Sequence, residues 1–575
     1  MKNFILILIS LSLVIGCTDI LDKGPLDEVT EKNYWDSVSD LELYINQFYP
    51  NLSGTIQYAN LDANSDNLMP TTPSRVLDGS RSIPPSGGGW GWGNIRDINY
   101  FFKNASEVTE GGKESIDQYL GEGHFFKAYF YFQKLKRFGD VPWYDEVLNI
   151  DSEELYAPRD PRDEIAEHII ENLDKAIDLL KNRSQVGTNR INWEAALAFK
   201  SRVCLYEGTW EKYHEGTVFG VEGSNGKKYI QLAAEAAEQL IDKGDLELYT
   251  TGNPDEDYWK LFNRSDLTNN SEAILVESID PELDLGTWAL TYFNGDRGKA
   301  TGITKSLVQS YLASDGKPIR ISERYRGDTT LTQTVKNRDP RLEQTMWVPG
   351  QVQIDIQPNP KIFDYPPLNK GGNDLATTGY MIRKGSTPDP EQNKGSSSDK
   401  YGKIDGMVFR YAEVLLNFAE AKAELETISQ SDLDKSINVI RERIGMPSLD
   451  LNVGYTDPNW KFPELTPIIN EIRRERRVEL ALEGFRYDDL MRWAAADEVI
   501  QGKRWKGARR IKGVSFPELE GKIEGVPVDE NNYIDRYQNS IKEGFSFDES
   551  RDYLYPIPTE ELTKNDNLDQ NPGWE

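Results

Sequence analysis

Residues 86–94 read Ser-Gly-Gly-Gly-Trp-Gly-Trp-Gly-Asn, and the chemistry open to such a string is non-covalent. Glycine permits backbone shapes that other residues cannot hold. If the stretch is extended, side chains alternate, so Trp90 and Trp92 point to one side about 6.6 Å apart along the chain. That spacing is similar in scale to one sugar unit, whose C–H face packs on an aromatic ring while amides and carboxylates take the hydroxyls. Asn94, Asp66 and Arg81 are the candidates for the polar part. The alternative is that one ring is core, and Trp92 is the one expected to pack under the helix that begins near Ile95. A second cluster, Trp288, Tyr292, Phe293 and Asn294, follows Asp280-Pro281. Trp288, Tyr292 and Asn294 are ligand-binding candidates there, with loop anchoring by buried rings as the alternative. Aromatic rings displayed on loops form the kind of patch that marks a binding surface.

Bond-making chemistry finds little support. The three histidines, His124, His168 and His214, do not pair at i, i+3 or i, i+4, and neither HExxH nor CxxC occurs, so no metal site is expected. No EF-hand spacing appears. Glycosidases need two carboxylates at a set separation, but among 95 acidic residues any pair can be nominated. GxSxG, Walker and helix-opening GxGxxG motifs are missing. The expectation is a binding protein without enzymatic activity or cofactor. Cys204 lies in an apolar helical stretch and reads as a small buried residue. The basic run from Arg473 to Arg477 carries Glu471–Arg474, Arg476–Glu479 and Glu483–Arg486 at i, i+3 in and around it. With a formal net charge of −29, it reads as a structural ion-pair network, and nucleic acid and anionic lipid are poor partners.

The first residues give the expected compartment. Lys2 and the apolar run from Phe4 to Ile15 have the form of a secretory signal, too short for a spanning helix. The segment Leu13-Val14-Ile15-Gly16-Cys17 resembles a bacterial lipobox, so residues 1–16 are expected to be removed and Cys17 acylated. Acyl chains anchor a protein to a membrane without spanning it.

The elements that must position these residues are mostly helices. Residues 115–138 form one long helix with the stripe Phe125, Phe126, Tyr129, Phe130 and Phe132, ended by Gly139 and Pro142. In 161–181, Ile165, Ile169, Leu173, Ala176, Ile177 and Leu180 share a face. Further helices are expected at 193–206, 229–243, 408–427, 433–444 and 467–495, and one short strand at 273–276. The helices come in pairs with small residues at crossing positions, a tetratricopeptide-like pattern without a strict repeat. Long loops rich in Gly, Pro, Asn and Asp fill 60–94, 250–300, 350–405 and 500–550, and loops of this length are often functional. The fold class expected is mainly α: a tetratricopeptide-like helical-hairpin scaffold with long loop-rich insertions and few short strands. The expected regions are 17–250 and 251–575, packed together as one globule.

Several segments resemble the SusD/RagB family of Bacteroidetes nutrient-binding lipoproteins. They are, in order, ILDKGP at 20–25, GEGHFFKAYFYF at 121–132, FGDVP at 138–142, NRDPR at 337–341, RYAEVLLNFAEA at 410–421, ERRVELALEGFRYDDL at 475–490, and YPIP at 555–558 with QNPGW at 570–574. One departure is Lys127, where the family often has Arg. An acidic residue just after Cys17 is similar to the surface-export signal of such lipoproteins. The resemblance implies a tetratricopeptide-like scaffold, a cell-surface position on the outer membrane, and a SusC-like TonB-dependent transporter as partner. The implied ligand is an oligosaccharide, or an oligopeptide as in the RagB branch.

Overall fold

The computed structural model describes residues 35–52, 58, 60–283, 297–392 and 402–575. Cys17, Trp288, Tyr292 and Asn294 lie outside the described residues.

The helical scaffold follows the hydrophobic periodicity. Its main helices are α1 (Val38–Asn46), α2 (Gly93–Ala105), α3 (Lys113–Phe138), α4 (Arg162–Leu179), α5 (Trp193–Tyr213) and α6 (Lys227–Lys243), followed by α7 (Tyr411–Glu424), α8 (Ile437–Arg443), α9 (Pro467–Glu479) and α10 (Phe485–Arg492). Packing runs in series: α2 on α3, α3 on α4, α4 on α5, α5 on α6, then α7 on α6 and α9 on α7. These are antiparallel hairpins stacked side by side, the tetratricopeptide-like arrangement. Local chemistry sets the ends. The Asn192 side chain accepts from the Ala195 amide at 2.9 Å to cap α5, and Gly244 in the left-handed region closes α6.

The stripe on α3 is core. Phe125, Phe126, Phe130 and Phe132 are buried; Phe125 lies 5.2 Å from Phe199 of α5, and Phe126 lies 5.5 Å from Phe48. The α5–α6 hairpin closes tightly at two glycines. A Cβ on Gly208 would meet Ile230 Cγ1 at 2.6 Å, and one on Gly226, whose φ is +68°, would meet the Gly208 carbonyl oxygen at 1.8 Å. Cys204 is fully buried and its thiol is pushed up to about 12 by burial.

Two expected elements differ. The helix expected over 408–427 starts only at Tyr411, because β4 (Gly406–Arg410) pairs antiparallel with β1 (Ala273–Glu277), between which lie β2 (Val352–Ile354) and β3 (Lys361–Ile362). Pairing satisfies backbone groups that a helix extension would otherwise have to satisfy. The single helix expected over 467–495 is broken between α9 and α10, where Leu482 and Gly484 have positive φ. The buried Asp62 carboxylate accepts from both amides of this break, Leu482 at 2.8 Å and Gly484 at 3.1 Å. A residue 420 positions away therefore decides the break.

The loop-rich remainder is anchored by its own apolar cluster, including Tyr258, Phe262, Tyr311, Trp347, Phe363 and Ile534. A buried ion network joins it to the helices. Arg410 pairs with Glu272, Glu479 and Glu483 at 2.7–2.8 Å, and Glu479 also takes Arg341 at 2.9 Å and Arg443 at 2.7 Å. The basic run is structural, but mostly through different partners from those expected. Glu471–Arg474 forms, whereas Arg476 turns to Asp489 and Arg486 to Asp66. Long-range pairing wins because these carboxylates are buried, and a buried charge must meet its partner wherever the fold brings one.

Candidate ligand-binding cleft

The glycine-rich loop is clamped onto α3. Gly87, Gly88 and Gly89 all have positive φ, and a Cβ on Gly89 would lie 2.7 Å from Arg137 Nε. Lys134 Nζ donates to the Gly89 carbonyl at 2.6 Å and also to that of Gly91. One turn on, Arg137 Nε donates to the Gly88 carbonyl at 2.7 Å. Two cations at i, i+3 on one helix face therefore take three successive-region carbonyls of the loop. The Lys134 ammonium also sits 4.8 Å from the Trp92 ring centre, and burial lowers its pKa to about 8.

The two tryptophans are not a parallel pair. Their ring centres are 5.4 Å apart at an interplanar angle of 87°. Trp90 is the core ring, 5% exposed and edge-on to Phe138 at 4.9 Å. Trp92 is half-buried and meets Tyr144 at 5.2 Å. The expected order is thus reversed. The loop is coiled by its glycines, not extended, and Trp92 stands at the N-cap of α2 at the mouth of the cleft.

That cleft has a volume of about 400 Å³ and is walled by Trp90, Trp92, Tyr144, Leu148, Leu155 and Tyr156. Leu155 and Tyr156 are exposed, at 39% and 52%. Polar groups converge on the apolar walls: Arg96, Asn99 and Glu146 from one side, Glu561 and Lys564 from the C-terminal segment. Asn99 is buried. Its Nδ2 donates to the Tyr144 and Glu146 carbonyls at 2.9 and 3.1 Å, while its Oδ1 has no hydrogen-bond partner. The far wall is held by the chain end, since Asn565 Nδ2 donates to the Ala157 carbonyl at 3.0 Å and Asn567 Nδ2 to the Tyr156 carbonyl at 2.7 Å. An apolar cleft with a few convergent polar groups is the general form of a small-ligand site.

Of the expected site residues, Trp90 and Trp92 line this cleft. Asn94 does not; it is exposed and donates to Asn51 Oδ1 at 3.1 Å. Arg81 is spent in a buried pair with Asp552 at 3.0 Å, its guanidinium 4.5 Å from the Tyr555 ring centre. Asp66 belongs elsewhere. It pairs with Arg477 at 2.8 Å and Arg486 at 2.7 Å; burial alone would raise its carboxyl, but the two guanidinium groups outweigh that and hold it well below the usual range. Asn99, Tyr144, Tyr156 and Lys564 were not legible as site residues, because they meet Trp92 only through packing between distant segments. A helix start near Ile95 was legible in the sequence, but nothing there showed that Asn99 faces a cleft.

Among the described residues no helix is long and apolar enough to cross a membrane, and no cluster of three or more His, Cys, Asp or Glu could hold a metal ion. Known proteins resemble the chain over most of its length. A SusD-like protein P2 of Formosa agariphila is 22% identical, spanning 100% of this chain and 99% of its own length. A SusD-like protein of Bacteroides ovatus is 22% identical over 81% of this chain and 76% of its own. Among solved structures, a SusD-like carbohydrate binding protein from Bacteroides fragilis superposes with a TM-score of 0.72 at 24% identity, covering 93% of this chain and all of that one. A second SusD-like protein from Bacteroides fragilis gives 0.71 at 23%, covering 96% of this chain and all of that one. A family model described as starch-binding associating with outer membrane matches residues 91–205. A model described as the SusD family matches residues 272–574, more than half of the chain, and on that match, with the stacked helical hairpins already described, the chain belongs to the SusD family.

Proposed function

We propose that this protein captures oligosaccharides at the cell surface, without cleaving them, and passes them to a SusC-like TonB-dependent transporter of the outer membrane. The observation that carries the reading is the cleft at Trp92: ring faces of Trp92, Tyr144 and Tyr156 beside the polar side chains of Arg96, Glu146 and Lys564. Sugar C–H faces pack on such rings, and charged side chains at the cleft wall take sugar hydroxyls. Supporting the ligand class are the carbohydrate-binding and starch-binding descriptions of the Bacteroides fragilis structure and of the model over 91–205. The lipobox-like segment ending at Cys17 supports an acyl anchor that keeps the protein at the membrane.

The test is calorimetry of the full-length chain in detergent against a panel of neutral oligosaccharides. At least one should bind, and Trp92→Ala should weaken that binding about tenfold or more, equivalent to about 1.4 kcal/mol. Binding of oligopeptides with no saccharide bound would overturn the reading, as would any shortening of the oligosaccharide by the purified protein.

A further inference from the structure

A second cleft, of about 290 Å³, opens between α9, α10, the start of the segment after Thr304 and residues 499–506. Its character is the reverse of the whole chain's. The protein carries 95 acidic against 66 basic residues, yet nine lysines and arginines line this cleft against two aspartates, Asp66 and Asp457. Composition cannot produce such an excess, so placement must.

Most of these cations are paired within the fold. Arg477 and Arg486 share Asp66, Arg473 takes Glu424 and Arg474 takes Asp457. Arg504 and Lys506 share Asp535. Three are not: Lys305, Lys461 and Lys503 line the same cleft and make no salt bridge among the described residues. Lys461 and Lys503 are exposed and Lys305 is half-buried, its ammonium over the Tyr533 ring. Arg473, though buried, keeps Nε and Nη1 without a hydrogen-bond partner. Lys461 feels the positive charges of Arg477, Arg486 and Lys503 against the single carboxylate of Asp66, and an anion seated in the cleft would offset that excess. The cleft is not purely ionic. Trp460 is half-buried, with its indole N–H committed to Glu471 at 2.8 Å, and Phe462 and Trp505 also line the wall. Cations that fit a carboxylate or sulfate, set beside aromatic rings that fit a pyranose face, suit one chemical class.

We propose that this cleft binds an acidic sugar residue, the carboxylate of a uronic acid or a sulfate ester, so that the protein's cargo is an anionic oligosaccharide. The inference rests on the glycan-capture reading and narrows its substrate class. A cavity of this size sits at the lower end for small-molecule sites, which matches one charged sugar residue and not a folded macromolecule.

The test is calorimetry of the full-length chain in detergent with oligogalacturonate, a sulfated galactan oligosaccharide, a malto-oligosaccharide of equal length, and inorganic sulfate. The two anionic oligosaccharides separate the carboxylate and sulfate sources. At least one should bind, and the variant carrying Lys305→Gln, Lys461→Gln and Lys503→Gln should bind it about tenfold more weakly. The same variant should keep the wild-type circular dichroism spectrum and a cooperative thermal transition, which separates lost binding from lost fold. If neutral oligosaccharides bind and both anionic ones do not, or if the variant binds the anionic ones as well as the wild type, this inference fails and glycan capture stands. Inorganic sulfate binding as tightly as the oligosaccharides would reduce the cleft to a simple anion site and overturn it. If no saccharide binds and acidic peptides do, both readings fail together.

Discussion

Lys134 is the residue on which the geometry of the Trp92 loop turns, and its behaviour with pH can be worked from the structure. Its side chain is buried, 8% exposed, with its ammonium spent on the Gly89 and Gly91 carbonyls and on the Trp92 ring. Burial lowers its pKa from the usual 10.5 to about 8, and the neighbouring Arg137 adds to the shift. The unfolded chain therefore holds this proton to a higher pH than the folded one. Stability rises with pH wherever the unfolded state binds more protons, so wild type should gain stability between about pH 8 and pH 10.5. A gap of about 2.5 pH units at 1.36 kcal/mol each gives about 3 kcal/mol. The carbonyl bonds favour the charged form and make this an upper figure. The perturbation is Lys134→Met, which keeps the length of the side chain and removes the proton. Other titrating groups cancel in the difference between the two proteins. Urea unfolding of both at intervals from pH 7 to 10.5 should show wild type gaining on the variant by up to about 3 kcal/mol across that window, while Trp92 fluorescence of wild type alone titrates near pH 8. Parallel stability curves over the whole range would refute the assignment of a buried, titrating clamp.

Other consequences follow from the buried charges. Burial, with Glu207 beside it, raises Glu211 to about 7, so its contribution is fully present below pH 4.5 and lost as pH climbs through 7; Glu211→Gln, which keeps the acceptor for Ser224, should stabilise the protein at pH 8 by about 2–3 kcal/mol and leave it unchanged at pH 4 by denaturant titration. Glu479→Gln leaves Arg341, Arg410 and Arg443 short of a shared carboxylate and should cost about 3–5 kcal/mol in urea unfolding. Gly226→Ala puts a Cβ against the Gly208 carbonyl at a positive φ, and should lower stability by about 2–3 kcal/mol while Gly244→Ala, with open space around it, costs less.

The helical scaffold was legible because it is written in periodicity. The faces of α3 and α4, the small residues at helix crossings and the end of α6 at residue 243 all rest on neighbours within a few residues, and such local rules survive without knowledge of the rest of the chain. The short strand at 273–276 was legible for the same reason, but its partner Gly406–Arg410 was not, because its hydrophobic pattern ran on into a true helix. The ion network was legible in kind, yet its pairs were not. A predicted i, i+3 partner is only a candidate when a buried carboxylate from another segment competes for the same guanidinium.

The site divides along the same line. The amino-acid sequence by itself determined that Trp90 and Trp92 stand in a glycine-rich loop beside a helix start, because composition and spacing are local facts. Which ring is buried was decided by Lys134 and Arg137 drawing the loop onto α3, and by Phe138 filling the space behind Trp90. Asn99, Tyr144, Tyr156 and the C-terminal Lys564 became one cleft only when segments more than 400 residues apart were packed together, as the Asn567 bond to the Tyr156 carbonyl marks. A binding surface is a property of what lies next to what in space, and for contacts this far apart in the chain only the tertiary structure carries that information.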